Sequence, residues 1–181
     1  MKIRHTIVKI AVCFIVATGL LSSFAEAQKA PNLTDPEIAS IAVTANQIDI
    51  NYAKIAEHKS KSADVIKFAK TMAKDHQSVI DEAVALVKKL DVTPKDNATS
   101  KSLKAGEAKT IKMLNSKSGK TFDKAYIDNE VAYHKAVINE VQNALIPDAQ
   151  NAELKGLLQN VLPVLQAHLS HAEMVQKEFN K

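Results

Sequence analysis

Three histidines lie at positions where an amphipathic helix would otherwise be apolar. His76, His134 and His168 each fall on the hydrophobic stripe of a different predicted helix. A polar group that faces a core destabilises the fold unless another group bonds it, so each imidazole requires a partner. Asp49 falls on the apolar stripe of the first predicted helix and Glu130 lies one turn before His134, so both would bring carboxylates to the same region.

The spacing along the chain places these side chains at similar heights. Counted from the start of its predicted helix, His76 lies 14 residues in and His134 lies 13. Counted from the turn near residue 148, Glu130 lies about 18 residues before it and His168 about 20 after it. The two layers differ by about four residues, or roughly 6 Å of helix. We therefore expect the three histidines, Glu130 and Asp49 to converge inside one bundle.

One interpretation of this convergence is a metal site. Neutral imidazole and carboxylate ligands suit a single Zn, Cu or Fe ion. Neighbouring polar residues would support the ligands, namely Asp75, His171, Tyr52, Tyr126 and Tyr133. Di-iron bundles carry a Glu three residues before each ligating His. Here those positions are Ala73, Val131 and Leu165, so a di-iron centre is not expected.

The other interpretation is structural. The histidines would hydrogen-bond to Asp49, Glu130 or tyrosine hydroxyls and form a polar layer that fixes the register of the helices. No G-x-S-x-G motif or Gly-rich phosphate loop occurs, and no nucleophile and base can be paired for an enzyme. The sequence thus favours a non-enzymatic bundle with an interaction or stress-related role, with metal buffering or delivery as the alternative.

The N-terminal segment has the pattern of an export signal. Lys2, Arg4 and Lys9 precede an apolar run over residues 10–24, and Ala25-Glu26-Ala27 offers small residues where a signal peptidase cleaves. The apolar run is shorter than the about 20 residues of a membrane-spanning helix. The predicted division is a signal peptide over 1–27, a linker over 28–34 and a four-helix bundle over 35–181.

Cleavage after Ala27 would set the chemistry of the mature chain. Of 24 Lys and Arg and 20 Asp and Glu, 21 Lys and 19 acids would remain, with no cysteine and no arginine. Disulfides and thiolate ligands are then excluded, and a lysine-only chain is a poor match for nucleic acid. We expect a periplasmic protein, open to loose outer-membrane association, with no transmembrane anchor after cleavage. Its partner would be an unidentified protein or envelope component, and homo-oligomers are possible.

Capping signals and apolar spacing predict four long helices. Asp35-Pro36-Glu37 supplies a capping acid and a first-turn proline for the first, Ser62 caps the second and Thr121 caps the third. Pro163 offers a kink in the fourth. The predicted spans are 35–59, 62–90, 121–146 and 148–179.

The middle segment over residues 91–120 decides the topology. A helix of 24 residues is about 36 Å long, and about 30 residues can cover that distance. The segment, with one short helix, can therefore return along the bundle and make the second and third helices parallel, as in ferritin-like folds. A simple up-down-up-down bundle is the alternative. Nine Lys against three acids over 88–120 indicate either a solvated connector or a contact with an anionic surface.

Three groups of residues also resemble a known family. They are Val65-Ile66-Lys67-Phe68-Ala69 with Met72 and Asp75-His76; Phe122-Asp123 with Tyr126 and His134; and Leu162-Pro163 with Leu165, His168-Leu169 and Ala172. Over about residues 35–178 the chain is similar to the ferritin-like proteins catalogued as domain-of-unknown-function family 4142. The resemblance implies a bacterial exported protein with a four-helix fold and no settled activity. The first helix departs from the family pattern, because Asp49 stands where Glu is expected.

Overall fold

The computed structural model describes residues 32–179, and within this range the chain forms helices and no strand. The long helices are α1 (Asp35–Lys59), α2 (Ala63–Lys89), α3 (Ala98–Asn115), α4 (Gly119–Glu140) and α5 (Ala152–Glu178). A π-helical segment (Val141–Leu145) and one further turn (Ile146–Asp148) follow α4. The predicted all-α fold is confirmed. The signal peptide predicted over 1–27 lies outside the described residues, as does most of the linker over 28–34.

The crossover between α2 and α4 gives the bundle its topology. The chain leaves α2 beside the start of α1, where the backbone N–H of Lys95 donates to the Pro36 carbonyl at 2.9 Å. It finishes α3 beside the end of α1, where Lys59 Nζ donates to the Leu114 carbonyl at 3.1 Å. Therefore α3 runs parallel to α1, and α4 starts at the same end of the bundle as α2. The ferritin-like arrangement is confirmed, and the up-down-up-down alternative is wrong.

The third helix of the chain is longer than the sequence pattern indicates. The predicted short helix is an 18-residue helix, α3, that begins at the cap Asn97, whose Oδ1 accepts from the Ser100 N–H at 3.0 Å. Only a few of its side chains are buried, among them Leu114 at 0% exposed. The apolar pattern is weak because α3 packs on the outside of the bundle and presents most of its surface to solvent.

Because α3 lies against α1, α1 is covered on more than one side. Ile48, Asp49 and Ile50 are consecutive and all at most 2% exposed, which a helix packed on one face alone does not allow. Asn51 Nδ2 donates to Glu107 Oε1 of α3 at 2.7 Å. α1 is therefore the central helix of the fold.

The first helix is capped differently from the prediction. Thr34, not Asp35, is the N-cap, and its backbone N–H donates to Glu37 Oε2 at 3.0 Å. Asp35 instead accepts from the backbone N–H groups of Gln150 and Asn151 at 2.9 and 3.0 Å. Its carboxylate thus ties the connection between α4 and α5 to the start of α1.

The boundaries of the last two predicted helices also shift. α4 begins at Gly119, whose φ of +55° suits glycine, two residues before the predicted cap Thr121. α5 begins after Asn151, whose Oδ1 accepts from the Glu153 and Leu154 N–H groups, rather than at residue 148. The final helix continues through Pro163.

The core consists of two hydrophobic clusters of different composition. The cluster near the end of α1, here called the aromatic half, contains Tyr52, Phe68, Met72, Phe122 and Tyr126. The cluster near the start of α1, here called the aliphatic half, contains Ile38, Ile41, Val141, Leu145, Leu154, Leu158 and Leu165. In residues 32–179, none of the helices combines the length and hydropathy required to span a bilayer.

Candidate metal centre

The structure brings the five predicted ligand side chains together between the two halves of the core. They are Asp49 of α1, His76 of α2, Glu130 and His134 of α4, and His168 of α5, all at most 6% exposed. One ring nitrogen from each histidine lies within 4.8 Å of one from each of the others. Oxygens of Asp49 and Glu130 and a ring nitrogen of His134 form a second group within the same distance. The two groups share His134.

Each histidine uses one ring nitrogen to contact a fixed acceptor. The three contacts are His76 Nδ1 to Asn46 Oδ1 at 2.7 Å, His134 Nδ1 to the Glu130 carbonyl at 3.0 Å, and His168 Nε2 to Asp75 Oδ2 at 3.1 Å. The Asn46 oxygen faces the ring because its Nδ2 donates to the Ala42 carbonyl at 2.8 Å. Amide, backbone and carboxylate oxygens accept hydrogen bonds, so each contacting ring nitrogen carries the proton.

The remaining ring nitrogens are lone-pair acceptors without partners. His76 Nε2, His134 Nε2 and His168 Nδ1 are buried and make no hydrogen bond. Three acceptors that face one another cannot satisfy one another. Asp49 Oδ2 lies 3.5 Å from His76 Nε2 and 3.7 Å from His134 Nε2, and its carboxyl group pairs with that of Glu130. The cluster is therefore rich in electron-pair donors.

Burial determines the charges in the cluster. It lowers the pKa of all three histidines, to about 4 for His134, so the imidazoles are neutral at pH 7. It raises the pKa of Asp49 to about 8. It also raises the pKa of Glu130 well above its usual range, and the charge of Asp49 adds to that rise. Without a cation, both carboxyl groups hold their protons near neutrality.

The raised pKa of Asp49 predicts a pH-dependent stability. The pKa of Asp49 rises from 3.8 in a reference peptide to about 8 in the fold. The contribution of protonated Asp49 to the stability of the fold is therefore complete below about pH 4 and is lost as the pH rises through 8. The Asp49→Asn substitution should therefore increase Tm relative to the unmodified protein more at about pH 8.5 than at about pH 5.5. We expect a difference of at least about 4 °C in metal-free thermal melts, or roughly 1–2 kcal/mol.

The exposed residue Asp81, on α2, provides the matched control for this measurement. Asp81→Asn should change Tm by the same small amount at both pH values. An Asp49→Asn effect that is equal at the two pH values would contradict a buried, protonated Asp49.

The other predicted residues have different roles. Tyr133 donates its hydroxyl to the Ala45 carbonyl at 3.0 Å, and Tyr52 packs edge-on against its ring at 5.7 Å. The Tyr126 hydroxyl is buried without a hydrogen-bond partner. His171 packs edge-on against Phe68, with ring centroids 5.1 Å apart, and belongs to neither group of three.

Sequence reasoning missed the residue that orients His76. Asn46 lies one turn before Asp49 on the same face of α1, so a second polar residue on that face was the available signal. The structural interpretation also expected the Asp49 or Glu130 carboxylate or a tyrosine hydroxyl as the partner of each histidine. Their hydrogen-bond partners in the described part of the chain are instead the Asn46 amide, the Glu130 backbone carbonyl and the Asp75 carboxylate.

The fold and the cluster define a ferritin-like helical bundle with a buried group of histidines and carboxylates. The family model described as "Domain of unknown function (DUF4142)" matches residues 21–175, and the chain belongs to this family. No curated protein gives a significant match. A solved structure described as "CopM in the Cu(II)-bound form" aligns with a TM-score of 0.62 and 15% identity over 81% of this chain and 98% of that chain. At this identity, the likeness shows the fold alone.

Proposed function

We propose that this protein binds a divalent transition-metal ion in the cluster of His76, His134 and His168, with Asp49 as a carboxylate ligand. The observation that carries the proposal is the convergence of three buried histidines, each with one ring nitrogen that makes no hydrogen bond, beside two buried carboxyl groups. Histidines that ligate metals donate their other ring N–H to a carboxylate or carbonyl, which fixes the tautomer. All three histidines in this cluster do so.

The donor set favours copper. Neutral imidazoles and a carboxylate, without sulfur, suit Cu²⁺ and Zn²⁺, and Cu²⁺ is bound most tightly by such ligands. The copper-bound state of the structural neighbour CopM supports the same choice. Glu130 lies close behind the ligands, with its Oε2 3.7 Å from His134 Nδ1, and would help to balance the charge of the ion.

Binding would exchange protons for the ion. The histidines are already neutral near pH 7, whereas Asp49 must lose the proton that its raised pKa retains. Since the predicted signal peptide over 1–27 directs the chain to the periplasm, the role we assign is buffering or delivery of the ion there. This role involves no chemical reaction of a substrate.

A titration of the purified protein with Cu²⁺ tests the proposal. We expect one equivalent to bind with micromolar or higher affinity, to raise Tm, and to give an electron paramagnetic resonance spectrum with nitrogen ligands. Zn²⁺ should compete more weakly. Absence of saturable binding and of any change in Tm would instead support the structural interpretation, in which the histidines form a polar layer.

The partner of His168 provides a more specific prediction. In the Asp75→Ala variant, the His168 ring loses the acceptor for its Nε2 proton, and its tautomer is no longer fixed. We expect Cu²⁺ affinity to fall about 10–100-fold, as for other residues that orient metal ligands. The measurement is competition with a chelator of known affinity. Asp81→Ala on the same helix is the control, and an equal loss in both variants would count against an orienting role for Asp75.

A further inference from the structure

A cavity of about 240 Å³ runs from the histidine layer into the aliphatic half of the bundle. It is larger than the cavity of about 150 Å³ that takes up benzene in an engineered protein core. Asn46, Asp49, His76 and His134 line it at one end, and side chains such as Leu154 line it toward the start of α1. The cavity is therefore polar at the histidine layer and mostly hydrocarbon beyond it.

Small side chains create this space. Ala39, Ala42 and Ala45 follow one another on one side of α1, and Ala83 of α2 and Ala136 of α4 also line the cavity. The aromatic half is filled instead by large rings, among them Phe68, Phe122 and Tyr126. Protein interiors have few voids larger than a water molecule, and a void destabilises a core in proportion to its volume. An apolar occupant would restore the missing contacts.

The length of the cavity limits the occupant. From Asp49 to Ala39 along α1 is ten residues, or about 15 Å at 1.5 Å per residue. An extended chain advances roughly 1.2 Å per bond, so about 12 carbons match this length. Three other residues with polar groups line the cavity, Tyr133, Thr99 and Glu140, and all three are partly exposed. The part of the cavity wall that lies deep between the helices is therefore apolar and favours a hydrocarbon chain.

The polar end of the cavity determines the chemistry of the head group. His76 Nε2 and His134 Nε2 are unpartnered acceptors, so a group that donates a hydrogen bond fits them. A carboxylate would bring a charge into a buried layer and offers no proton to these two nitrogens. A hydroxyl group donates without adding charge.

We propose that this cavity binds a single-chain amphiphile with about 12 carbons and a hydroxyl end, the hydroxyl lying at the histidine layer. The inference goes beyond the metal site and does not depend on it, because it concerns the metal-free protein. A bound ion would occupy the same two nitrogens, so metal and amphiphile should compete.

The test uses the metal-free full chain and the apolar dye N-phenyl-1-naphthylamine, displaced by 1-dodecanol. We expect 1-dodecanol to displace the dye from one saturable site. n-Dodecane and dodecanoate should each displace the dye at least 10-fold less effectively than 1-dodecanol. Ala83→Leu narrows the cavity and should weaken dodecanol binding at least 10-fold, whereas Ala132→Leu, on the exposed face of α4, should not change it. Tm of Ala83→Leu should equal or exceed that of the unmodified protein, because the new side chain fills space.

If Ala83→Leu lowers Tm, Ala45→Val, which adds less volume, provides the same comparison. Failure of dodecanol to displace the dye would overturn the proposal. Displacement that neither Ala83→Leu nor Ala45→Val weakens would overturn it as well, since the dye site would then lie elsewhere. Tighter binding of n-dodecane than of dodecanol would contradict the assigned orientation.

Discussion

His134→Ala should reduce the affinity for Cu²⁺ by more than about 100-fold, beyond the range seen when only an orienting residue is lost. We expect the largest effect at His134 because it belongs to both groups of potential ligands, and its buried, unpartnered Nε2 lies 3.7 Å from Asp49 Oδ2. Its loss leaves two imidazoles on separate helices and no nitrogen between them. The measurement is the rise in Tm on adding one equivalent of Cu²⁺, together with chelator competition.

Measuring the change in Tm caused by Cu²⁺ within each variant separates the effect of a substitution on metal binding from its effect on folding. His134→Ala should retain its helical circular dichroism while the shift in Tm on addition of Cu²⁺ disappears. His58→Ala, an exposed histidine near the end of α1, should retain the full shift. A Cu²⁺-induced shift that survives in His134→Ala would place the ion at another site.

Phe68→Ala should lower the free energy of unfolding by about 3–5 kcal/mol, the usual range for truncating a buried aromatic ring. Phe68 is 0% exposed in the aromatic half and packs edge-on against Tyr126 at 6.1 Å and His171 at 5.1 Å. These two rings belong to α4 and α5, so truncation of Phe68 removes contacts between α2 and both of these helices. Urea unfolding monitored by circular dichroism gives the value.

Val84 provides the comparison for Phe68. Its side chain is 50% exposed on the same helix, so Val84→Ala should change stability by less than about 1 kcal/mol. Phe68 lies two turns from His76, and Cu²⁺ affinity below the unfolding transition should change little. Equal destabilisation by the two substitutions would mean that the aromatic half does not carry the packing assigned to it.

Much of the architecture could be predicted because capping and periodicity are local. The cap at Ser62 was found, and its Oγ accepts from the Val65 N–H at 3.5 Å. On geometric grounds alone, the length of the middle segment was enough to predict that α2 and α4 run parallel. The extent of α3 was missed because its partner, α1, lies more than 50 residues away, and contacts of that range leave little periodic signal in a helix that is mostly exposed.

The candidate site could also be predicted only in part. Polar residues on apolar stripes could be recognised, and counting from the turns gave their common height. Ring orientation could not be predicted, since it depends on whether Asn46, a backbone carbonyl or Asp75 lies within reach of each imidazole. The cavity was also missed, because alanines are good helix formers on any face and only the packed bundle shows that they leave space.

The position of α1 at the centre of the fold has a consequence for amide exchange. Its backbone is covered by α2 and α4 on one side and by α3 on the other, so its N–H groups exchange with deuterium only when the whole bundle opens. α3 has few buried residues and can detach locally. Protection factors in α1 would therefore report global stability, and those in α3 the smaller free energy of releasing the outer helix.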